Sequence, residues 1–491
     1  MNGRNYVGGA WTDGHGPAMT SNEPASGAEM WSGRAADEGQ ADAAMRAAHA
    51  AFGAWAATPF EGRVAALERY AAIAAERQGE MAHTIARETG KPLWDAATEA
   101  GAVAGKLKLA LSAYHDRTPT EEREAGGATL RISHHPHGVM VVIGPFNFPA
   151  HLPNGHVVPA LLAGNTVVFK PSEQTPATAE LMASWWHEAG LPSGVLNMVQ
   201  GGREVAERLV ADERAAGVLF TGGVAAGTAI HRALAGRPDV ILALELGGNN
   251  PLVAWDVADA EAAARVAVRS AYITSGQRCT CARRLLVQEG AEGQRIVDAI
   301  AKIIPRLRVG DPLGEPEPFM GPLIDARAAQ AVLDAQEEKV GAGATPIVRC
   351  EAGPGDAYVT PGLIDVTTGG QEDREVFGPL LQVVRVGSFE DALHTANDTR
   401  FGLAAGLLSD DPALWDRFKA GVRAGVVNWN RQTTGASGAA PFGGPGLSGN
   451  HRPAGYYAAD YCAWPMASMM EAGVLRDDEG TLRGLDAAVS G

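Results

Sequence analysis

The chain has 491 residues, 46% hydrophobic and 20% charged, long enough for two or three domains with large cores. Four cysteines in such a chain, two of them one residue apart, argue against a secreted disulfide scaffold and imply reduced thiols. A formal charge of −16 without any cluster of lysine and arginine argues against a nucleic-acid groove, and an acidic substrate would need local cations to overcome that field.

The N-terminal stretch "MNGRNYVGGAWTDG" has no apolar run of signal-peptide length, and no later segment offers about 18 uninterrupted apolar residues. A cytoplasmic protein without a membrane partner is expected. After the Gly-rich start, residues 61 to 88 carry apolar side chains at helical spacing (Val64, Leu67, Tyr70, Ala71, Ala74), and Gly90 and Pro92 stop the helix. From residue 138 short β-branched runs alternate with helical text: "GVMVVIG", "NTVVFK", "GVLNMV", "GVLF" and "DVILAL" read as strands, and "TPATAELMASWWHEAG" as a helix. Such alternation implies a parallel, doubly wound sheet. A second series follows, with the strand "NPLVAW", a helix over roughly 259 to 275, and the strand "RRLLVQ". The fold class is therefore α/β with two doubly wound domains. Residues 121 to 137 and the segment near 461 to 470 fit neither series and read as strands serving an interface. The tail from 476 on is polar and Gly-containing, and is expected to be poorly ordered.

Several short motifs carry chemistry. "IGPFNFP" ends the first strong strand with Asn147, which suits a turn or an oxyanion donor. In "FKPSE", Lys170 and Glu173 end another strand. Lys170 suits a ribose hydroxyl or phosphate and Glu173 a ribose hydroxyl pair, and a carboxylate there would repel a 2′-phosphate, favouring NAD over NADP. "FTGGVAAG" (Gly222, Gly223, Val224, Ala225, Ala226, Gly227) follows a strand and opens a helix, so its free N–H groups would face an anion. "ELGG" puts Glu245 at the carboxyl end of a buried strand, where α/β sheets bind ligands and a general base is needed. "GQRCTC" sets Cys279 on a loop beside Arg278. A thiolate nucleophile and a small buried apolar side chain are both open readings, whereas C-x-C alone supplies no closed metal set. "EVFGP" adds Glu375 and Phe377.

In this order and spacing, "PFNFP", "KPSE", "FTGGVAAG", "ELGG", "GQRC", "EVFGP" and "PFGG" resemble the aldehyde dehydrogenase superfamily over essentially the whole chain. The resemblance implies that Cys279 is the nucleophile and Glu245 the base for the deacylating water. It makes Asn147, with the Cys279 backbone N–H, the oxyanion hole. Lys170 and Glu173 become contacts of the adenine ribose, Gly222 to Gly227 the pyrophosphate turn, and Glu375 with Phe377 the nicotinamide-ribose side. It further implies an NAD-binding domain over 1–117 and 138–247, a catalytic domain over 248–445, an oligomerisation arm over 118–137 and 461–472, and a homo-oligomer.

Two departures stand out. Gly223 occupies a position where many superfamily members carry serine, which removes a hydroxyl near the pyrophosphate. Cys281 is not a general feature; it either packs inward or forms a reversible bond with Cys279. The longer runs "HLPNGHVVPALLAGNTVVFKPSEQTP" and "NWNRQTTGASGAAPFGGPGLSGNHRP" are similar to those of superfamily members acting on acidic semialdehydes, and that resemblance implies such a substrate. Candidate grips for its carboxylates are His151, His156, Arg278, Thr280, Asn430 and above all Arg431, since guanidinium binds carboxylate bidentately.

Overall fold

The computed structural model describes residues 3–473; the tail from 476 on lies outside the described residues. Two seven-stranded sheets dominate. In the first, the strands Ile241–Glu245, Ala215–Thr221, Val139–Ile143, Thr166–Lys170 and Leu196–Met198 lie side by side in that order, all parallel. Each is a near-continuous apolar run, as a sheet covered on both faces requires. Covering helices include Glu38–Ala56 and Pro176–Glu188, and the buried indoles Trp185 and Trp186 of the latter sit in the core. The second sheet runs parallel through Gly362–Asp365, Leu380–Val386, Ala282–Gln288, Asn250–Ala254, Ala404–Leu408 and Val426–Trp429, with Thr345–Val348 added antiparallel at one edge. A separate three-stranded antiparallel sheet joins Ala463–Met470, Ala128–Pro136 and Glu121–Ala125.

One expectation needs correction. The helix expected over 61 to 88 is two helices, Phe60–Glu76 and Gln78–Thr89, broken at Arg77. Arg77 sits at φ −106°, ψ 25°, and its guanidinium is anchored on both oxygens of Glu188 at 2.8 and 2.6 Å, while Gly79 weakens the helix just beyond. A tertiary ion pair thus overrides an apolar period that runs through the break. The Gly-rich start is ordered. Arg4–Val7 and Ala10–Asp13 form a hairpin that extends the first sheet antiparallel, and Ala18–Asn22 pairs with Glu29–Arg34.

Both sheets direct strand ends at one region. Glu245 ends one strand of the first sheet, and the loop carrying Cys279 leads into Ala282–Gln288 of the second.

Candidate active site

Cys279 is partly exposed, a free thiol at the end of a strained turn. Thr274, Ser275 and Gly276 all have left-handed φ values of 55°, 53° and 72°. Glycine is needed at 276, because a Cβ there would collide with the Gly378 carbonyl. The two side chains before it are held by specific bonds: Thr274 Oγ1 donates to Asp95 at 2.5 Å and Ser275 Oγ to the Gly321 carbonyl at 2.7 Å. Strain of this kind persists only where surrounding contacts fix it. The loop beyond is clamped as well. Asn250 Nδ2 donates to the carbonyls of Cys279 and Cys281 at 2.7 and 2.9 Å, and Asn147 Nδ2 to the Gln277 carbonyl at 2.9 Å.

Glu245 faces the same cavity, a space of about 230 Å³. Its Oε1 accepts from the Ala454 N–H at 3.1 Å, and its buried Oε2 has no partner. Burial pushes its carboxyl well above the usual range. The strand end is held by the segment after "PFGG": Leu246 N–H donates to the Ser448 carbonyl at 2.9 Å, and Ser448 Oγ to the Gly247 carbonyl at 2.8 Å. Gly443 is required there, since a Cβ would lie 2.6 Å from Glu245 Oε1. Burial, then the Glu375 and Glu245 carboxylates, push the Cys279 thiol up to about 12, with Arg283 opposing them.

"ELGG" and "EVFGP" meet as well. A Cβ on Gly247 would overlap Glu375 Oε2, and Glu375 Oε1 accepts from Arg283 at 3.0 Å. Phe377 stacks edge-on to Phe146, centroids 5.9 Å apart, with the Arg283 guanidinium 5.3 Å from its ring. On the far side, Lys170 Nζ donates to the Gly201 carbonyl at 2.6 Å and lies 3.4 Å from the exposed carboxylate of Glu173. The helix Val224–Ala233 starts at Gly223 with no side-chain cap and with open space where a Cβ would stand. Its first N–H groups, including those of Val224, Ala225 and Ala226, are thus free for an anion. Gly227 packs against Leu246, where a Cβ would come within 2.5 Å. A lysine and a carboxylate at a strand end, an uncapped helix start and a carboxylate beside an aromatic ring fit the parts of a dinucleotide.

The expected substrate grips separate. Arg278, Thr280, His151 and His156 line the cavity with Cys279 and Glu245. Arg278 is already paired, however, donating to Asp95 at 2.5 Å and to Thr274 at 2.8 Å. His156 is spanned by Tyr461 at 2.9 Å and Thr221 at 3.2 Å. Arg431 is exposed and does not line the cavity, which takes Thr434, Ala436, Ser437 and Gly438 from the same loop. Asn430 bonds the Ser409 backbone through both amide atoms at 2.9 Å, fixing its own left-handed turn. The Cys281 side chain is buried and directed at the Ile273 carbonyl, 3.8 Å away.

Three residues escape a sequence reading. Arg283 is fully buried and ties the nucleophile loop to Glu375 through the Gly276 carbonyl at 2.6 Å and the Arg278 carbonyl at 3.0 Å. Its one signal is a charge inside the apolar strand "ARRLLVQ". Asn250 opens the strand "NPLVA", where its amide reads as a turn residue. Lys106, on the helix Leu93–Arg117, lines the cavity and is buried.

A free thiol and a buried carboxylate thus line one cavity in an α/β chain built on two large sheets. The aldehyde dehydrogenase family matches residues 11–464, and the chain belongs to that family. Among its relatives is the N-succinylglutamate 5-semialdehyde dehydrogenase of Paraburkholderia xenovorans, 50% identical over 469 residues, covering 95% of this chain and 96% of that one. N-succinylglutamate 5-semialdehyde dehydrogenase 1 of Caulobacter vibrioides is 55% identical over 452 residues, 92% and 96% of the two chains. Among solved structures, 1-pyrroline-5-carboxylate dehydrogenase from Thermus with bound NAD superposes with a TM-score of 0.90 at 30% identity, covering 96% of this chain and 93% of that one. The NADP-dependent glyceraldehyde-3-phosphate dehydrogenase of Bacillus halodurans, complexed with NADP, gives 0.90 at 27% identity over 96% and 100%.

Proposed function

We propose that the protein oxidises N-succinyl-L-glutamate 5-semialdehyde to N-succinyl-L-glutamate with NAD, an oxidation in the succinyl route of arginine breakdown. The observation that carries this is Cys279 and Glu245 lining one cavity, in a chain about half identical to relatives of that name. The Cys279 thiolate, formed as the thiol loses its proton to solvent, attacks the aldehyde carbon to give a thiohemiacetal anion. The oxyanion is held by the Cys279 backbone N–H and by the second N–H of Asn147, whose first is engaged by Gln277. One such donor is worth roughly 3 kcal/mol of barrier.

When bound, NAD supplies the hydride acceptor. Lys170, Glu173, the uncapped N–H groups after Gly223 and the Glu375–Phe377 pair are the residues that would hold it. The Glu173 carboxylate supports NAD over NADP by charge repulsion with a 2′-phosphate. Loss of hydride leaves a thioester on Cys279. Glu245, with one carboxylate oxygen free of partners, takes a proton from the water that cleaves it. Such general base catalysis contributes on the order of 100-fold or more.

The alternative substrate is glutamate 5-semialdehyde or another short acidic semialdehyde. Rates of NADH formation from N-succinylglutamate semialdehyde, glutamate semialdehyde and a plain aliphatic aldehyde decide between them. The first should be used with the highest kcat/KM, with NAD preferred to NADP. A higher kcat/KM for glutamate semialdehyde would sink the proposal.

A further inference from the structure

The cavity that holds Cys279 is also lined by the charged side chains of Glu99, Lys106, Glu245 and Arg278. Glu99 accepts from the Ala150 and His151 N–H groups at 3.0 and 3.1 Å and pairs with Lys91, which itself sits over the Phe148 ring. Arg278 is neutralised by Asp95, a residue with no exposed surface. Lys106 differs. It is 5% exposed, and among the described residues no carboxylate or hydrogen-bond acceptor reaches its ammonium. Gly155 lies beside it on the next helix, where a Cβ would come within 3.5 Å of Nζ.

A buried ammonium without an acid is costly, because burial removes its hydration and nothing replaces it. Desolvation accordingly lowers its pKa to about 8, so at neutral pH it still carries its proton. The neighbouring His151 ring, whose Nδ1 is buried without a partner, is pushed down to about 3 by burial and then by Lys106, Lys91 and Arg278, and stays neutral. The cavity lining thus carries one uncompensated positive charge, with the neutral His151 ring near it. That pattern is complementary to a carboxylate, in a molecule whose net charge of −16 otherwise repels one.

We propose that Lys106 is the substrate-binding residue that selects an acidic semialdehyde, its ammonium receiving a substrate carboxylate with the His151 ring beside it. This rests on the reading of the enzyme as an acidic-semialdehyde dehydrogenase, and it moves the chief grip from the exposed Arg431 to the cavity wall.

Lys106→Met, which keeps the length and removes the charge, and Lys106→Arg, which restores the charge, test it. KM and kcat are measured for N-succinylglutamate semialdehyde, glutamate semialdehyde and an aliphatic aldehyde, with binding of the product N-succinylglutamate followed by calorimetry. Thermal unfolding confirms that each variant is folded. Lys106→Met should raise KM for the preferred acidic substrate about 10- to 100-fold with kcat nearly unchanged, leave the aliphatic aldehyde unaffected, and weaken product binding by a similar factor. Lys106→Arg should recover part of the loss. Equal loss for charged and neutral aldehydes, or unchanged KM and product affinity, would overturn the assignment. If Lys106→Met discriminates among aldehydes but glutamate semialdehyde is the better substrate, Lys106 keeps its role and the proposed substrate alone falls. If Lys106→Met does not fold, Lys106→Gln, which keeps a hydrogen-bond donor and removes the charge, decides: an unaltered acidic-to-neutral preference would overturn the assignment, and a selective loss for the acidic substrates would support it.

Discussion

Cys279 shows how far a residue's chemistry depends on what surrounds it. Burial and two carboxylates hold the ligand-free thiol protonated at neutral pH, against the pull of Arg283. Alkylation of Cys279 by iodoacetamide, followed by peptide mass spectrometry, should therefore keep accelerating as pH rises through the neutral range; a plateau near neutrality would contradict this. Glu245 titrates in the opposite functional sense. Its carboxyl is raised by burial, and only the ionised form takes a proton from water, so thioester hydrolysis should fall as pH drops through that raised value. Gly443→Ala puts a methyl carbon 2.6 Å from Glu245 Oε1, which must shift, and should slow hydrolysis by about 100-fold, seen as a burst of NADH followed by a slow phase. Steady turnover at the normal rate would show that the carboxylate need not stay put. That Cys279 and Asn147 lie on loops and Glu245 at a strand end is legible, because each sits in a motif bounded by glycine or proline. The placement of Lys106 and Arg283 is not. A lysine in "AGKLKLAL" reads as a solvated helix position, and only the fold shows that this one lies against the cavity.

At the level of elements, buried parallel strands such as Val139–Ile143 and Leu380–Val386 are legible because apolar β-branched runs bounded by glycine or proline admit few other structures. The break at Arg77 was hidden, because the ion pair to Glu188 is made 111 residues away. The N-terminal hairpins were hidden too, their short strands half-exposed and interrupted by glycines. The glycine turn carries a prediction with opposite outcomes at adjacent positions. Gly223→Ser faces open space at a helix N-cap and should change stability by less than about 0.5 kcal/mol. Gly222→Ala would place its Cβ 2.5 Å from the Phe220 ring and should cost about 1–3 kcal/mol in urea unfolding. Equal effects at the two sites would contradict the packing described for this turn.

For the whole molecule, we propose the division into an NAD-binding part (1–117 and 138–247), a catalytic part (248–445) and an arm (118–137 and 461–472). The two large sheets and the small one follow those limits in their strands. The arm's outer strand, Ala463–Met470, leaves one edge unpaired and exposes Trp464, Met469 and Met470, a surface suited to another copy of the chain. Met469→Lys should shift the protein to a smaller species in sedimentation velocity; no change in mass would remove the arm from the assembly. None of the described helices is long and apolar enough to cross a membrane. The proposed activity depends on sulfur and carboxylate acting in sequence on one carbon. The most direct measurement is the intact and peptide mass of Glu245→Gln after mixing with NAD and N-succinylglutamate 5-semialdehyde. The predicted result is one stoichiometric burst of NADH and an acyl group retained on the peptide bearing Cys279. Continued turnover without a trapped acyl group, or an acyl group on another residue, would contradict it.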